Sequence, residues 1–222
     1  MNAYDQNFWE NRWSQALCEH GDRVAQRPPN VHLSAELDNL PPGRALDAGC
    51  GHGSDTLWLA TRGWRVTAVD FAAVALARAR ATAEAIGPEV AGRIDWVQAD
   101  LATWNPRPDH YDLVVCLYVH VAGSVVEMVH RIASAVAPGG TLFLVGHRPT
   151  DPATGAPTPA AGQVQVSVDT ALAALDADRW EMVVAEDRVR PRAGTGVDAV
   201  IHARRRSQPI EQISGGGPPP EQ

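Results

Sequence analysis

The chain has 222 residues, 45% of them apolar, and a net charge of -7 at pH 7, which is room for one well-buried α/β domain and little for a second. No run approaches the roughly 18 apolar residues of a membrane helix, no signal-peptide pattern opens the chain, and the acidic balance argues against a surface built to hold nucleic acid, with Arg204-Arg205-Arg206 a local exception. Cys18, Cys50 and Cys116 form no Cys-x-x-Cys pair, so neither a disulfide framework nor a cysteine zinc site is expected, and a reduced cytoplasm is the expected compartment.

In chain order, "YDQNFWENRWSQALCEH" reads as an amphipathic helix, with Trp9, Trp13 and Leu17 on one face. A second helix is expected over 31–39, ended by Pro41-Pro42-Gly43. From Arg44 the pattern alternates. "RALDAG" is a buried strand, "SDTLWLATRG" a helix, "RVTAVD" a second strand and "AAVALARARATAEAIG" a helix. "RIDWVQAD" and "YDLVVCLYV" are the third and fourth strands, and "SVVEMVHRIASAVA" is a helix leading through Pro138-Gly139-Gly140 into a fifth, "TLFLVGH". Such alternation predicts parallel strands joined by right-handed crossovers, with helices on both faces. Residues 148–163 read as a long mobile loop and residues around 168–177 as a last helix. "WEMVVAEDRV" and "GVDAVIHARR" then suggest an antiparallel hairpin around "RPRAG". Residues 207–222 are a low-complexity tail expected to be disordered. One domain, 1–206, is expected, with 1–40 as an N-terminal helical lid.

"LDAGCGHGSD", where the first strand turns into its helix, is the place at which open parallel sheets bind nucleotides. Its spacing is Gly49-x-Gly51-x-Gly53 with Asp47 ahead, and Ser54 stands where a dinucleotide fingerprint wants glycine or alanine. No phosphate-holding Gly-Lys pair is present. Metal binding has only Cys50 and His52 as ligands, and a tight turn that binds nothing is the plainest alternative. Glycines admit close backbone approach to any adenosyl cofactor. An acid ahead of them repels a pyrophosphate but suits the ammonium and sulfonium of S-adenosylmethionine. Asp70 ends the second strand, where a carboxylate can accept from both ribose hydroxyls. Asp100 ends the third, where one can accept from an adenine amine. Either acid by itself is commonly a helix cap; as a set they are less accidental.

"ALDAGCGHG", "VTAVD", "VQADL", "YDLVVCLYV" and "RIASAVAPGGTLFLV" together resemble the motifs of the class I S-adenosylmethionine-dependent methyltransferases over roughly residues 40–147. The resemblance implies a Rossmann-like three-layer α/β sandwich, whose seven-stranded, mostly parallel sheet has order 3-2-1-4-5-7-6 with the last strand antiparallel. Carried over by position, Gly49, Gly51 and Gly53 line the cofactor and Asp47 sits near its amino-acid end. Asp70 holds the ribose, Phe71 and Leu101 flank the adenine, and Asp100 binds its amine. Cys116 and Leu117 lie beside the methionine portion. "FWENRW" and "DTLWLATRGWRVTAVD" further resemble the small, single-domain tellurite-resistance and thiopurine methyltransferase group.

Methyl transfer is an in-line displacement that mainly needs an aligned acceptor and excluded water. Alternation along the fourth strand places Tyr118 and His120 on one face, and His147 ends the neighbouring fifth, so all three are expected at the acceptor. His120 is the first choice for a general base or acceptor-positioning residue, with His147 second; a histidine that merely caps the next helix is the plainer reading. Tyr118 shapes the pocket. Trp9 and Trp13 either dock their helix on the core or, with Tyr4 or Phe8, wall the acceptor. A small-molecule acceptor with an N, O or S nucleophile is expected. The competing readings are a nucleic-acid or protein methyltransferase, a nicotinamide-dependent oxidoreductase, and a cofactor-binding protein without transfer activity.

Overall fold

The computed structural model describes residues 5–25, 27–121, 123–158, 160–190 and 196–207, with only the backbone over 20–25. Strands β1 (Arg44–Ala48), β2 (Arg65–Asp70), β3 (Ile94–Gln98), β4 (Tyr111–Leu117), β5 (Val136–His147), β6 (Trp180–Val189) and β7 (Val197–Arg205) form one sheet of order 3-2-1-4-5-7-6. The pairings among β1 to β5 are parallel, and β7 runs antiparallel between β5 and β6. This is the expected architecture.

Helices α1 (Gln6–Ala25), α2 (Val31–Leu37), α3 (Ser54–Thr61), α4 (Ala73–Ile86), α6 (Val125–Ala133) and α7 (Val168–Ala174) fall where the apolar periodicity puts them. The single turn α5 (Pro88–Ala91) is too short to carry a period and is not anticipated. The polar starts are local chemistry: Asn30 accepts from the His32 and Leu33 amides to begin α2, and Ser124 accepts from Glu127 to begin α6.

The two-residue period of the strands sorts side chains to two cores. Leu113, Val115, Phe143 and Val145 pack with Leu57, Leu59 and Leu76 on the α3/α4 face. Val114, Cys116, Leu142 and Leu144 pack with Met128, Val129 and Ile132 of α6 on the other.

Two expected boundaries move. β4 stops at Leu117, because Tyr118 turns into the left-handed region at φ 57°. β5 starts at Val136 rather than Thr141, because Pro138-Gly139-Gly140 is absorbed as a bulge that jumps the register between Tyr111↔Val136 and Leu113↔Thr141. Within the expected loop, Thr150 and Pro157 form a bridge and the Thr158 hydroxyl donates to the Arg148 carbonyl. The expected disordered tail beyond Ser207, most of the "RPRAG" turn and Tyr4 lie outside the described residues. Among the described residues, no helix is long and apolar enough to cross a membrane.

Phe143 is fully buried at the centre of the sheet. Phe143→Ala should cost about 3–5 kcal/mol, read as a lower urea midpoint at an unchanged slope.

Candidate active site

From β1 the chain builds the sheet outward through β2 and β3, then returns to lay β4 on the other side of β1. The carboxyl ends of β1 and β4 therefore flank the point where strand order reverses, and a crevice opens there. A cavity of about 330 Å³ fills it. Its walls are the turn after β1 (Gly49 to His52), the ends of β2 (Asp70, Phe71) and β3 (Asp100, Leu101), and the segment after β4 (Leu117 to Val121). Trp9 and Trp13 of α1, the stretch Arg27, Pro28 and Asn30, and Ser54 and Asp55 of α3 complete it.

The turn is held by its own backbone. Gly49 and Cys50 both donate to the Val69 carbonyl, at 2.8 and 3.0 Å. Gly51 donates to Asp70 Oδ2 at 2.8 Å, and Ala72 to Asp70 Oδ1 at 2.9 Å. Gly49 and Gly51 have φ of 86° and 52°, and a Cβ on them would stand 2.2 Å from Val119 and 2.8 Å from Trp13. A side chain is excluded at both on conformational and steric grounds. Asp70 thus joins the turn to the start of α4. Burial raises its pKa and the backbone N–H groups oppose that rise.

Acids dominate the floor. Asp47 is buried beneath the turn and accepts from the Thr56 hydroxyl. Burial first, then the charge of Asp55, pushes its pKa up to about 8. Burial moves Asp55 to about 6, although it accepts from the Asn30 amide at 2.7 Å. His52 is moved down to about 4 by burial and then by Arg27; its ring lies 5.1 Å from that of Trp13, and Nε2 is 2.7 Å from the Ser54 hydroxyl. Cys50, the other residue considered for a metal, also lines the cavity, its thiol held up mainly by burial. Among the described residues no group of three or more His, Cys, Asp or Glu is placed to hold a metal ion.

Most of the expected residues meet here: Gly49, Gly51, Asp70, Phe71, Asp100, Leu101, Leu117, Tyr118, His120, Trp9 and Trp13 all line the cavity. Four do not. Cys116 and Leu117 are adjacent on a strand and face opposite sides, so Cys116 turns into the α6 core with its sulfur 3.9 Å from that of Met128. Gly53 serves packing, since a Cβ there would lie 2.9 Å from Ala79 and 3.2 Å from Trp96. Asp47 lies under the floor. His147 sits behind Tyr118, its ring 3.9 Å away. Tyr118 and His120 do share the cavity, but through the turn after Leu117 rather than through strand alternation.

His120 packs on Trp9 at 5.3 Å between ring centres. Its Nε2 is 2.7 Å from Gln165 Nε2 and 3.1 Å from Gln163 Oε1. Burial first, with His147 and Arg12 in the same direction, lowers its pKa against the hydrogen bonds to Gln163 and the Tyr118 carbonyl.

Asp198 is the residue sequence reasoning missed. It is fully buried on β7 and accepts from the Tyr118 hydroxyl at 2.8 Å, His147 Nδ1 at 2.9 Å, Arg190 Nε at 2.9 Å and His32 Nε2 at 3.2 Å. Burial alone would raise its pKa; donation from His147, His32, Tyr118 and Arg190 outweighs that and holds it below the usual carboxylate range. Tyr118 moves the other way, its pKa raised by burial and by the charge of Asp198. The available signal was an acid between Val197 and Ala199 in the otherwise apolar first half of the strand, Val197 to Ile201.

Residues 45–140 match the protein family described as "Methyltransferase domain". The trans-aconitate 2-methyltransferase of Streptomyces avermitilis is 37% identical over 131 residues, 55% of this chain and 46% of that protein. A ubiquinone biosynthesis O-methyltransferase of Xanthomonas campestris is 34% identical over 136 residues, 60% of this chain and 55% of that protein. The chain thus spans about half the length of the curated relatives it matches. Among solved structures, the N-methyltransferase NodS of Bradyrhizobium japonicum, in complex with S-adenosyl-L-homocysteine, superposes with a TM-score of 0.67 at 18% identity, covering 90% of this chain and 99% of that one. Strand order, crevice and family match together put the core of the chain in the class I methyltransferase fold. Within it, residues 45–140 are the stretch that matches the methyltransferase-domain family.

Asp198→Ala should cost about 3–5 kcal/mol, because His32, Tyr118, His147 and Arg190 lose a common buried acceptor. A folded pKa below the unfolded value of about 3.9 means that the stabilisation is fully present above that pH and is lost as pH falls through the folded value. The gap in urea stability between wild type and variant should accordingly be full at pH 7 and narrower at pH 3.

Proposed function

We propose that the protein transfers the methyl group of S-adenosylmethionine to an N, O or S nucleophile of a small molecule by in-line displacement. The observation that carries this is the meeting of the glycine turn with Asp70 at the reversal point of the sheet, in a cavity whose lining holds more carboxylates than cationic side chains. Asp55, Asp70 and Asp100 line it against a single exposed Arg27, an acceptor set that suits a cationic adenosyl group and disfavours a pyrophosphate.

When bound, the cofactor supplies a methyl carbon already activated by a sulfonium. The protein's task is then to bind, align and exclude water. Asp70 would hold the ribose through lone pairs beyond those given to Gly51 and Ala72. Asp100, with Phe71 and Leu101, would hold the adenine end. Asp47, below the turn, would answer the ammonium. Trp9, Trp13, Tyr118 and His120 would enclose the acceptor, with the neutral imidazole of His120 receiving its proton. His147 is better read as support for Tyr118 than as a base. The nearer kinship to the tellurite-resistance and thiopurine group rests on "FWENRW" and "DTLWLATRGWRVTAVD" and belongs to the same proposal, as does a small-molecule acceptor, which the names of the two curated relatives support.

Thermal-shift measurements should show stabilisation by S-adenosylmethionine and S-adenosylhomocysteine and none by NAD; stabilisation by NAD alone overturns the reading. Asp70→Ala should lose at least about tenfold in cofactor affinity, or roughly 1.4 kcal/mol, with wild-type affinity removing Asp70 from the site. Asp47, at about 8, is protonated at pH 7 in the unliganded protein. A cation seated near it lowers that value, so binding at pH 7 should release up to about one proton. Calorimetric enthalpies that do not vary with buffer ionisation heat would exclude Asp47 from cofactor binding.

A further inference from the structure

Gln165 lies between β5 and α7, only 6% exposed, and touches both histidines of this region. Gly146 lets its segment press against β5: a Cβ at that position would stand 2.1 Å from the Val166 carbonyl oxygen. The close approach brings Gln165 Oε1 to 2.6 Å from the backbone N–H of His147, which donates to it.

A carboxamide has one accepting end and one donating end. With the oxygen committed to a backbone N–H, the Gln165 amino group must point the other way, and it meets His120 Nε2 at 2.7 Å. Two N–H groups cannot face each other at that distance, so Nε2 carries a lone pair and the ring proton resides on Nδ1. The Tyr118 carbonyl is a hydrogen-bond acceptor for this ring. Gln163 Oε1 lies 3.1 Å from the same ring nitrogen and 3.5 Å from the Gln165 amino group, whose second N–H it accepts; when the ring gains its second proton, that oxygen is in place to accept from Nε2.

We propose that Gln165 is the positioning residue that fixes the tautomer of His120, keeping Nε2 unprotonated so that it can take the proton of the methyl acceptor. The inference rests on the reading of His120 as the group facing that acceptor. There the acceptor's own N–H or O–H replaces the carboxamide at Nε2, and the proton it sheds becomes the second ring proton of His120. Among the described residues, Arg12 on α1 and the His147 ring, itself paired with Asp198, are charged or titratable groups acting on the ring, and both oppose its protonation.

The test is nitrogen NMR of histidine-labelled full-length protein. In wild type, Nε2 of His120 should be the unprotonated ring nitrogen and Nδ1 the protonated one, which requires no variant to read. Gln165→Glu keeps an oxygen for the His147 N–H but turns a second oxygen on His120. The neutral ring should then carry its proton on Nε2, and its pKa should rise by about one pH unit or more, a tenfold gain in proton affinity. Gln165→Leu should release the tautomer without that rise. A protonated Nε2 in the neutral wild-type ring, or an unmoved titration in Gln165→Glu, overturns the proposal. With an acceptor in hand, the acid limb of kcat should follow the NMR titration in Gln165→Glu while the cofactor KM holds. A moved titration with an unmoved acid limb overturns His120 as the proton acceptor and leaves the tautomer assignment standing.

Discussion

The carboxyl ends of β1 and β4 lie side by side, yet the chain leaves them for opposite faces of the sheet, toward α3 and toward α6. Right-handed crossovers on either side of one strand force that divergence. Neither connection can fill the space between the ends, and the backbone must pass close to whatever does. Gly49 and Gly51 follow from this constraint, since one turn must bond back to Val69, offer an N–H to Asp70 and still pass under Val119 and Trp13. The cavity is therefore a consequence of topology, and the side chains around it decide what it holds.

Two buried aspartates show how far the surroundings set that chemistry. Asp47 and Asp198 are both sealed from solvent. Asp47 has a hydroxyl donor in Thr56 and two acids, Asp55 and Asp70, for neighbours, so it keeps its proton up to about pH 8. Asp198 has four donors and is ionised throughout the neutral range. Folding favours the protonated form of Asp47, so its contribution to stability falls as pH rises from about 4 through 8. Asp198 contributes with the opposite sign. On the proposed reading the first carboxylate would respond to an arriving cation; the other accepts from Tyr118, whose backbone is left-handed at φ 57°.

Periodicity and glycine spacing made the strands and six of the seven described helices legible, because these follow from burial on two faces of a sheet, whereas the strand order came from the resemblance of the motifs to a known family. The glycine turn and Asp70 were legible for the same reason: strand ends at a reversal point are identifiable from the order of elements alone. What escaped depended on facing and on distance. Cys116 and Leu117 were grouped as neighbours, although a period of two separates them by the thickness of the sheet. His147 was placed at the acceptor from the end of its strand, but Asp198 draws its ring behind Tyr118. Asp198 and Gln165 reach Tyr118 and His120 across 80 and 45 residues of sequence, and no local pattern encodes such pairs.

The site itself divides in two by where its residues lie in the chain. The turn, Asp70, Phe71, Asp100 and Leu101 all fall within the matched stretch 45–140, and so do Tyr118 and His120. The groups that hold or cover Tyr118 and His120 come from outside it: Trp9 and Trp13 from α1, His32 from α2, His147 and Gln165 from β5 and the segment after it, and Asp198 from β7. On the proposed reading, the cofactor end is built by the architecture of the sheet edge and the acceptor end by what wraps around it. The same polar pair can then be re-aimed by changes in the wrapping segments, leaving the turn that holds the cofactor untouched. This division follows from the fold, because the ends of β1 to β3 have few alternative geometries, whereas α1 and the segment between β5 and α7 cross the cavity without belonging to the sheet.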